Sequence, residues 1–319
     1  MTPQQRMQAS VDLTLTYIQN YYPDWRLAKV LTTKKLLAQR YEFYKDFIQD
    51  VKSHHDENGE ATIAQEIRNG LYFDAISQSV QYVEDLFALI NASLKPDYFI
   101  KNIINYDAGK VTNLIKSFNA NVSVKRISEA LHFPDNLPFT TEDDKKAYDA
   151  QVDYLLSLVK DVAKFHRDYE YFHNQYKHGL AVAMRPFGNT YVQEQIDEDK
   201  RGEFKPYITV YDSRDLNIAA KKGTFRTRDG ALMIGFTDNV RPFIGELAKE
   251  NNFIRLVHPE DMNLDIDLLV DVAYKVRACI NTFLSNYSLK IRPENNELKF
   301  QLPINHRTNE ALIISYRNE

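Results

Sequence analysis

The sequence predicts an α+β chain dominated by α, a long-helix bundle with a small antiparallel β-sheet appended. Three observations predict it. Apolar residues recur at helical spacing through the first 180 positions, and after Gly179 the period changes to two. Glycine (10) and proline (11) are scarce in 319 residues, which disfavours sandwiches, propellers and glycine-rich phosphate-binding folds. The expected organisation is a helical bundle over 1–180, then a small antiparallel sheet over 181–319 with a long helix (about 261–286) packing on the bundle.

The first helix covers 4–21 and is stopped by Pro23 in YYPDW. A second is expected from about Trp25 to Lys52, with Leu31, Leu36, Leu37, Tyr41, Phe43, Tyr44 and Phe47 at its apolar positions. HHDENGE (54–60) reads as the loop before a third helix, about Ala61 to Leu94, which ends before Pro96. Shorter helices are expected near 97–105, 109–118 and 123–132.

The clearest element begins after Thr140 or Thr141, either of which can cap a helix whose first turn carries Glu142, Asp143 and Asp144. Leu155, Leu158, Val162, Phe165, Tyr169, Phe172 and Tyr176 then step by 3 and 4 in turn, a sustained packing seam. Gly179 can take the left-handed cap at its end. Over about 142–178 this helix is roughly 55 Å long.

Beyond Gly179, segments 207–212, 216–221, 225–228 and 231–236 alternate like strands, and Asp229-Gly230 signals a hairpin between the last two. A further strand is expected at 253–257. The helix over 261–286 follows, and strand character returns at 298–302 and 311–316.

Bulk properties exclude several classes. Lys and Arg number 40 against 44 Asp and Glu, a formal charge of −4, so nucleic-acid contact would have to be a local patch. Cys279 is the only cysteine, which excludes an intrachain disulfide and a cysteine-based zinc site. No stretch approaches the roughly 18 apolar residues of a membrane span, and the N-terminal stretch lacks a signal-peptide core. The expectation is a cytoplasmic protein without membrane contact. No phosphate-binding glycine loop, GxSxG or HExxH motif is present.

One polar constellation suggests chemistry. Within KFHRDYEYFHNQYKHG (164–179), Arg167, Tyr171, Asn174 and His178 lie at offsets 4, 7 and 11, within about 60° of one another on a helix. His166, Glu170, His173 and Lys177 form a parallel stripe. The Arg167 stripe lies roughly opposite the Leu155–Tyr176 seam. It therefore reads either as a solvated face or as one turned to a second surface, such as a dimer interface. An arginine, an amide and a histidine suit phosphate chemistry: the guanidinium offers a fixed fork of donors, and the imidazole can exchange a proton near neutral pH. Neither metal nor cofactor is required.

Arg167-Asp168, four further residues and His173 resemble the arginine–polar–x–histidine signature of HEPN domains, and Asn174 to Gly179 is similar to segments of HEPN-like helical families. The resemblance implies a helical bundle that dimerises, with metal-independent RNA cleavage or RNA binding of the toxin or phage-defence type; it does not specify an antitoxin-like partner. It makes Arg167 the phosphate clamp and His173 or His178 the acid–base, with Asn174 orienting the imidazole or holding a ribose hydroxyl. The alternative is a non-catalytic interaction protein whose Tyr/Phe-rich helices mediate assembly.

Other signals point to structure. HHDE (54–57) reads as a solvated loop, and Asp197–Asp199 as a solvated turn. Residues 111–134 have a helix–turn–helix flavour, but the helix after them opens with three acids, opposite to what a DNA phosphate requires. Cys279 reads as a small buried hydrophobe.

Overall fold

The computed structural model describes residues 2–39, 41–51, 60–95, 98–135, 137–139, 141–177, 182–183, 208–211, 254–257, 266–292 and 297–317. Among them the chain is mostly helical with small antiparallel sheets, the predicted class. The helices are α1 (Pro3–Asn20), α2 (Trp25–Leu37), α3 (Tyr41–Val51), α4 (Glu60–Ser93), α5 (Phe99–Ile104), α6 (Ala108–Ala120), α7 (Val124–Leu131), α8 (Glu142–Lys177) and α9 (Ile266–Ile291). Strands β1 (Val182–Ala183), β2 (Ile208–Tyr211) and β3 (Ile254–Val257) form an antiparallel sheet in that order. Strands β4 (Glu297–Asn305) and β5 (Glu310–Arg317) form a hairpin.

One expected helix is two. Instead of running from Trp25 to Lys52, the chain leaves the helix after Leu37 and re-enters at Tyr41. The Tyr44 hydroxyl donates to the carbonyl of Leu36 at 2.5 Å and Arg68 Nη2 donates to that of Leu37 at 2.9 Å. Side chains thus satisfy carbonyls that the next helical turn would otherwise have bonded. The final helix also runs to Ile291, about five residues past its expected end, and its expected first residues, 261–265, lie outside the described residues. The expected strands at 216–221, 225–228 and 231–236, the Asp229-Gly230 turn, the acidic run 197–199 and the HHDE loop lie outside the described residues.

The chain divides into two compact units. The first comprises residues 1–28, 79–169 and 270–319, and the second 29–78 and 170–269. The core of the first is built from Leu86, Phe87 and Ile90 of α4, Leu155, Leu158 and Val162 of α8, and Val276, Ile280 and Phe283 of α9, each at most 1% exposed. The β4–β5 hairpin joins this core through Phe300 and Leu302. Asn286 fastens it there, because its side-chain amide donates to the carbonyls of Leu131 and Gln301 and accepts from Gln301 N–H at 2.7 Å. In the second unit, Tyr44, Ile48 and Ala64 form a buried cluster flanked by Ile67 and Leu71, and Lys34 pairs with Asp267.

Candidate functional site

Helix α8 starts as its sequence requires. Thr141 Oγ1 accepts from Asp144 N–H at 3.1 Å, and three acids fill the first turn. Its seam residues Leu155, Leu158, Val162 and Phe165 are buried. The polar residues beyond them have separate fates. Arg167 is exposed, and its Nε and Nη2 both donate to Asp168 Oδ1, at 2.9 and 2.8 Å. Asn174 is also exposed. His173, in the second unit, is 2% exposed, with Nδ1 hydrogen-bonded to Ser77 Oγ at 2.9 Å. An acid–base group enclosed in that way has no path to a bulky substrate. His178 lies outside the described residues. The stripe containing His166 and His173 reads as polar in the sequence, yet both imidazoles are buried; His166 Nε2 donates to Glu84 Oε1 at 3.3 Å.

The helix–turn–helix segment uses its basic residue internally. Arg126 Nη1 donates to the carbonyls of Ser117 and Asn121, and the guanidinium lies 4.4 Å from the centroid of Phe118. Arg126 therefore closes the C-terminal end of α6 rather than presenting its charge to a phosphate. Cys279 is fully buried, and burial pushes its thiol up to about 12.

The structure also reveals a cleft in the first unit that residue spacing does not predict. It encloses about 250 Å³ among α1, the first turn of α2, the second half of α4, and α5–α6. Tyr17, Tyr21, Trp25 and Tyr106 supply its rings, with Arg26 and Asp85 among its polar walls. Asp107 and Asn102 line it too. Pro23 separates α1 from α2, and the turn lets Tyr21, Trp25 and Arg26 gather at one corner. Tyr82 secures that turn by donating to the Pro23 carbonyl at 2.5 Å.

The polar side of the cleft is an ion pair. Arg26 donates from Nε and Nη2 to the two oxygens of Asp85, at 2.5 and 3.2 Å, and from Nη1 to Gln81 at 2.6 Å. Its guanidinium also lies 4.1 Å from the centre of the Trp25 ring. The Arg26 side chain is 12% exposed and that of Asp85 27%, so the carboxylate is the more available partner. Burial holds the Asp85 carboxyl above the usual range despite Arg26, with Glu84 adding to the rise. Burial likewise raises the phenols of Tyr17, Tyr21 and Tyr106, and Asp85 contributes to all three shifts. Tyr21 keeps its hydroxyl buried with no hydrogen-bond partner. An apolar groove lined by Leu13, Tyr22 and Ile100 shares Tyr17, Tyr21 and Trp25 with the cleft.

No protein family, curated protein or solved structure matches this chain. Among the described residues no helix is long and apolar enough to cross a membrane, and no group of three His, Cys, Asp or Glu could hold a metal ion. A signal for the cleft did exist in the sequence. The single tryptophan stands beside an arginine at a helix corner (YYPDWR), and Glu84-Asp85 interrupts an otherwise apolar helical run.

Proposed function

We propose that this chain acts by binding, with the aromatic cleft of the first unit as its recognition site. The observation that carries this reading is a pre-formed cavity of about 250 Å³ whose lining joins four aromatic residues, Tyr17, Tyr21, Trp25 and Tyr106, to the Arg26–Asp85 ion pair. Rings on several sides and a few convergent polar groups are the usual make-up of a small-molecule site.

Trp25 is the only tryptophan, so its emission reports on the cleft directly. The test is a panel of small amines, carboxylates, phosphates and nucleosides titrated against the whole protein. At least one class is expected to shift Trp25 emission saturably, and Tyr17→Ala is expected to weaken that response. A flat response to every class would overturn the reading.

One observation favours a second reading, RNA contact of the HEPN-like kind along α8. Lys160, Lys164 and Arg167 are all exposed and fall within about 60° of one another around the helix. The stripe supports phosphate binding more than cleavage, because His173 is enclosed and the acid–base role falls to His178. Purified protein incubated with mixed RNA in EDTA, beside Arg167→Ala/His178→Ala, tests it. Cleavage lost in the double variant would support this reading, and cleavage that persists would exclude the site.

A further inference from the structure

We propose that the cleft around Trp25 selects an organic cation of alkylammonium size. The inference rests on the binding reading above and specifies its ligand. The lining combines the two features that such a cation needs: several ring faces and more negative than positive charge. Tyr17, Tyr21, Trp25 and Tyr106 provide the rings, whose faces attract a cation through the aromatic quadrupole. Asp85 and Asp107 provide carboxylates, with side chains 27% and 46% exposed; Asp107 also meets Lys110 at 3.4 Å, a lysine outside the lining whose side chain is 71% exposed. Among the cleft's own lining residues, Arg26 is the cationic one. Its three nitrogens are already engaged by Asp85 and Gln81, and its place over Trp25 shows how a planar cation is accommodated there.

Two further observations agree in sign. Asn102 Nδ2 donates to the carbonyl of Ala92 at 3.2 Å, so the amide's remaining capacity in the cleft includes an acceptor oxygen. The phenol of Tyr106 is raised first by burial and then by Glu84 and Asp85, with Arg26 the smallest of the influences on it. At Tyr106, then, the neighbouring carboxylates act more strongly than the guanidinium. An anion, by contrast, would have to displace Asp85 from Arg26 and would lie beside two carboxylates.

The decisive comparison uses choline, its neutral carbon isostere 3,3-dimethyl-1-butanol, and inorganic phosphate, each titrated against the full chain while Trp25 emission is followed. Choline is expected to saturate the response at a concentration roughly tenfold lower than the isostere, and phosphate to give no response. A peptide carrying trimethyl-lysine forms a further arm: tighter binding than choline supports the same chemistry and assigns the cation to a protein side chain. Asp107→Asn removes one charge while the asparagine can still cap α6, and it is expected to weaken choline several-fold with the isostere unchanged. Equal binding of choline and isostere would overturn the cation inference while leaving the binding reading intact. A response to phosphate alone would do the same. Silence from all of these probes overturns the inference as well, and the wider panel then decides the reading beneath it.

Discussion

Two charged clusters in the first unit invite comparison, because both join distant parts of the sequence and only one leaves room for a ligand. At the tip of the β4–β5 hairpin, His306 lies between Tyr154 and Asp271: its Nδ1 is 2.6 Å from the Tyr154 hydroxyl and its Nε2 is 3.0 Å from Asp271 Oδ1. Asp271 also meets Lys275 at 3.1 Å and Arg307 at 2.9 Å, and Lys275 reaches Asp161 at 2.7 Å. Two carboxylates thus face two permanent cations. Arg277 adds a clamp by donating to the carbonyls of His306 and Arg307. At the cleft, Asp85 in the lining pairs with Arg26, while its neighbour Glu84 is bonded to His166. Matched charges fasten a hairpin. In the cleft the charged groups instead border a cavity.

The sharpest way to break the comparison is to neutralise the carboxylate of each cluster. Asp85→Asn leaves the Arg26 guanidinium enclosed without its counter-charge. It is expected to cost about 3 kcal/mol, because removing one partner of a largely buried pair exceeds the net worth of the pair itself. Urea denaturation measures it. A cost under about 0.5 kcal/mol would mean that solvent already screens the pair. Asp271→Asn should cost less, about 1–2 kcal/mol, because its partners are more exposed and Lys275 retains Asp161. Burial opposes ionisation of Asp271, but hydrogen bonds from His306, Arg307 and Lys275 outweigh it and bring the carboxyl down to about 2. A depressed carboxyl stabilises the fold above its unfolded value of about 4. That contribution fades as pH falls from about 4 through 2. Hydrogen exchange at the hairpin should quicken over that window in the wild type and lose this step in Asp271→Asn.

How much of this was legible in the sequence depends on what each residue's role requires. Helices α4 and α8 were readable because burial along one element imposes a local period. The break between α2 and α3 was not, because it depends on Tyr44 and Arg68 reaching back to carbonyls across the turn, and no spacing rule records a side chain's choice of carbonyl. The polar stripe of α8 was legible as geometry and misleading as environment. His166 and His173 are seven residues apart and share a face, and that face is buried because α4 residues Glu84 and Ser77 meet them. The cleft was legible only in fragments such as YYPDWR, for the opposite reason. Its residues come from stretches up to about ninety positions apart, and only packing brings Tyr17 and Tyr106 to one cavity.

His132 is a third polar group, closed like the hairpin tip, and it extends the comparison to pH. It ends α7 in the left-handed region, at φ 55° and ψ 43°, and lies 4.8 Å from the Tyr287 ring centre in a stacked arrangement. Ser93 Oγ donates to the Ile90 carbonyl, so it accepts from His132 Nε2–H, and Nδ1 is left to accept from Lys290. This network leaves no place for a second proton. Burial, with Lys290 beside it, accordingly pushes the imidazole down to about 3. The unfolded chain takes up that proton near pH 6.5. Between pH 6.5 and 3 the unfolded state therefore binds more protons, so stability is complete above 6.5 and falls as the solution is acidified. His132→Asn tolerates the left-handed backbone and should cost about 1 kcal/mol at neutral pH. It should also flatten the stability profile from pH 6.5 to 5, above the range of the carboxylates. An unchanged slope would show that His132 is protonated in the folded protein.

The smallest expected effect belongs to Arg167, which is part of neither cluster. Both of its bonds go to its own neighbour, Asp168, and its side chain is 52% exposed. Arg167→Ala should therefore change stability by less than about 0.5 kcal/mol. That near-silence makes the variant useful, because any functional loss cannot then be attributed to unfolding. If the α8 stripe contacts RNA, the same substitution should weaken binding across sequences and reduce the salt dependence by about one unit of slope. Choline titration of Trp25 should be unchanged in that variant, since Arg167 does not line the cleft. A chain that loses RNA and keeps choline uses both surfaces. One that keeps both responses has Arg167 only as a solvated charge, and the cleft becomes the better place to look for what this protein binds.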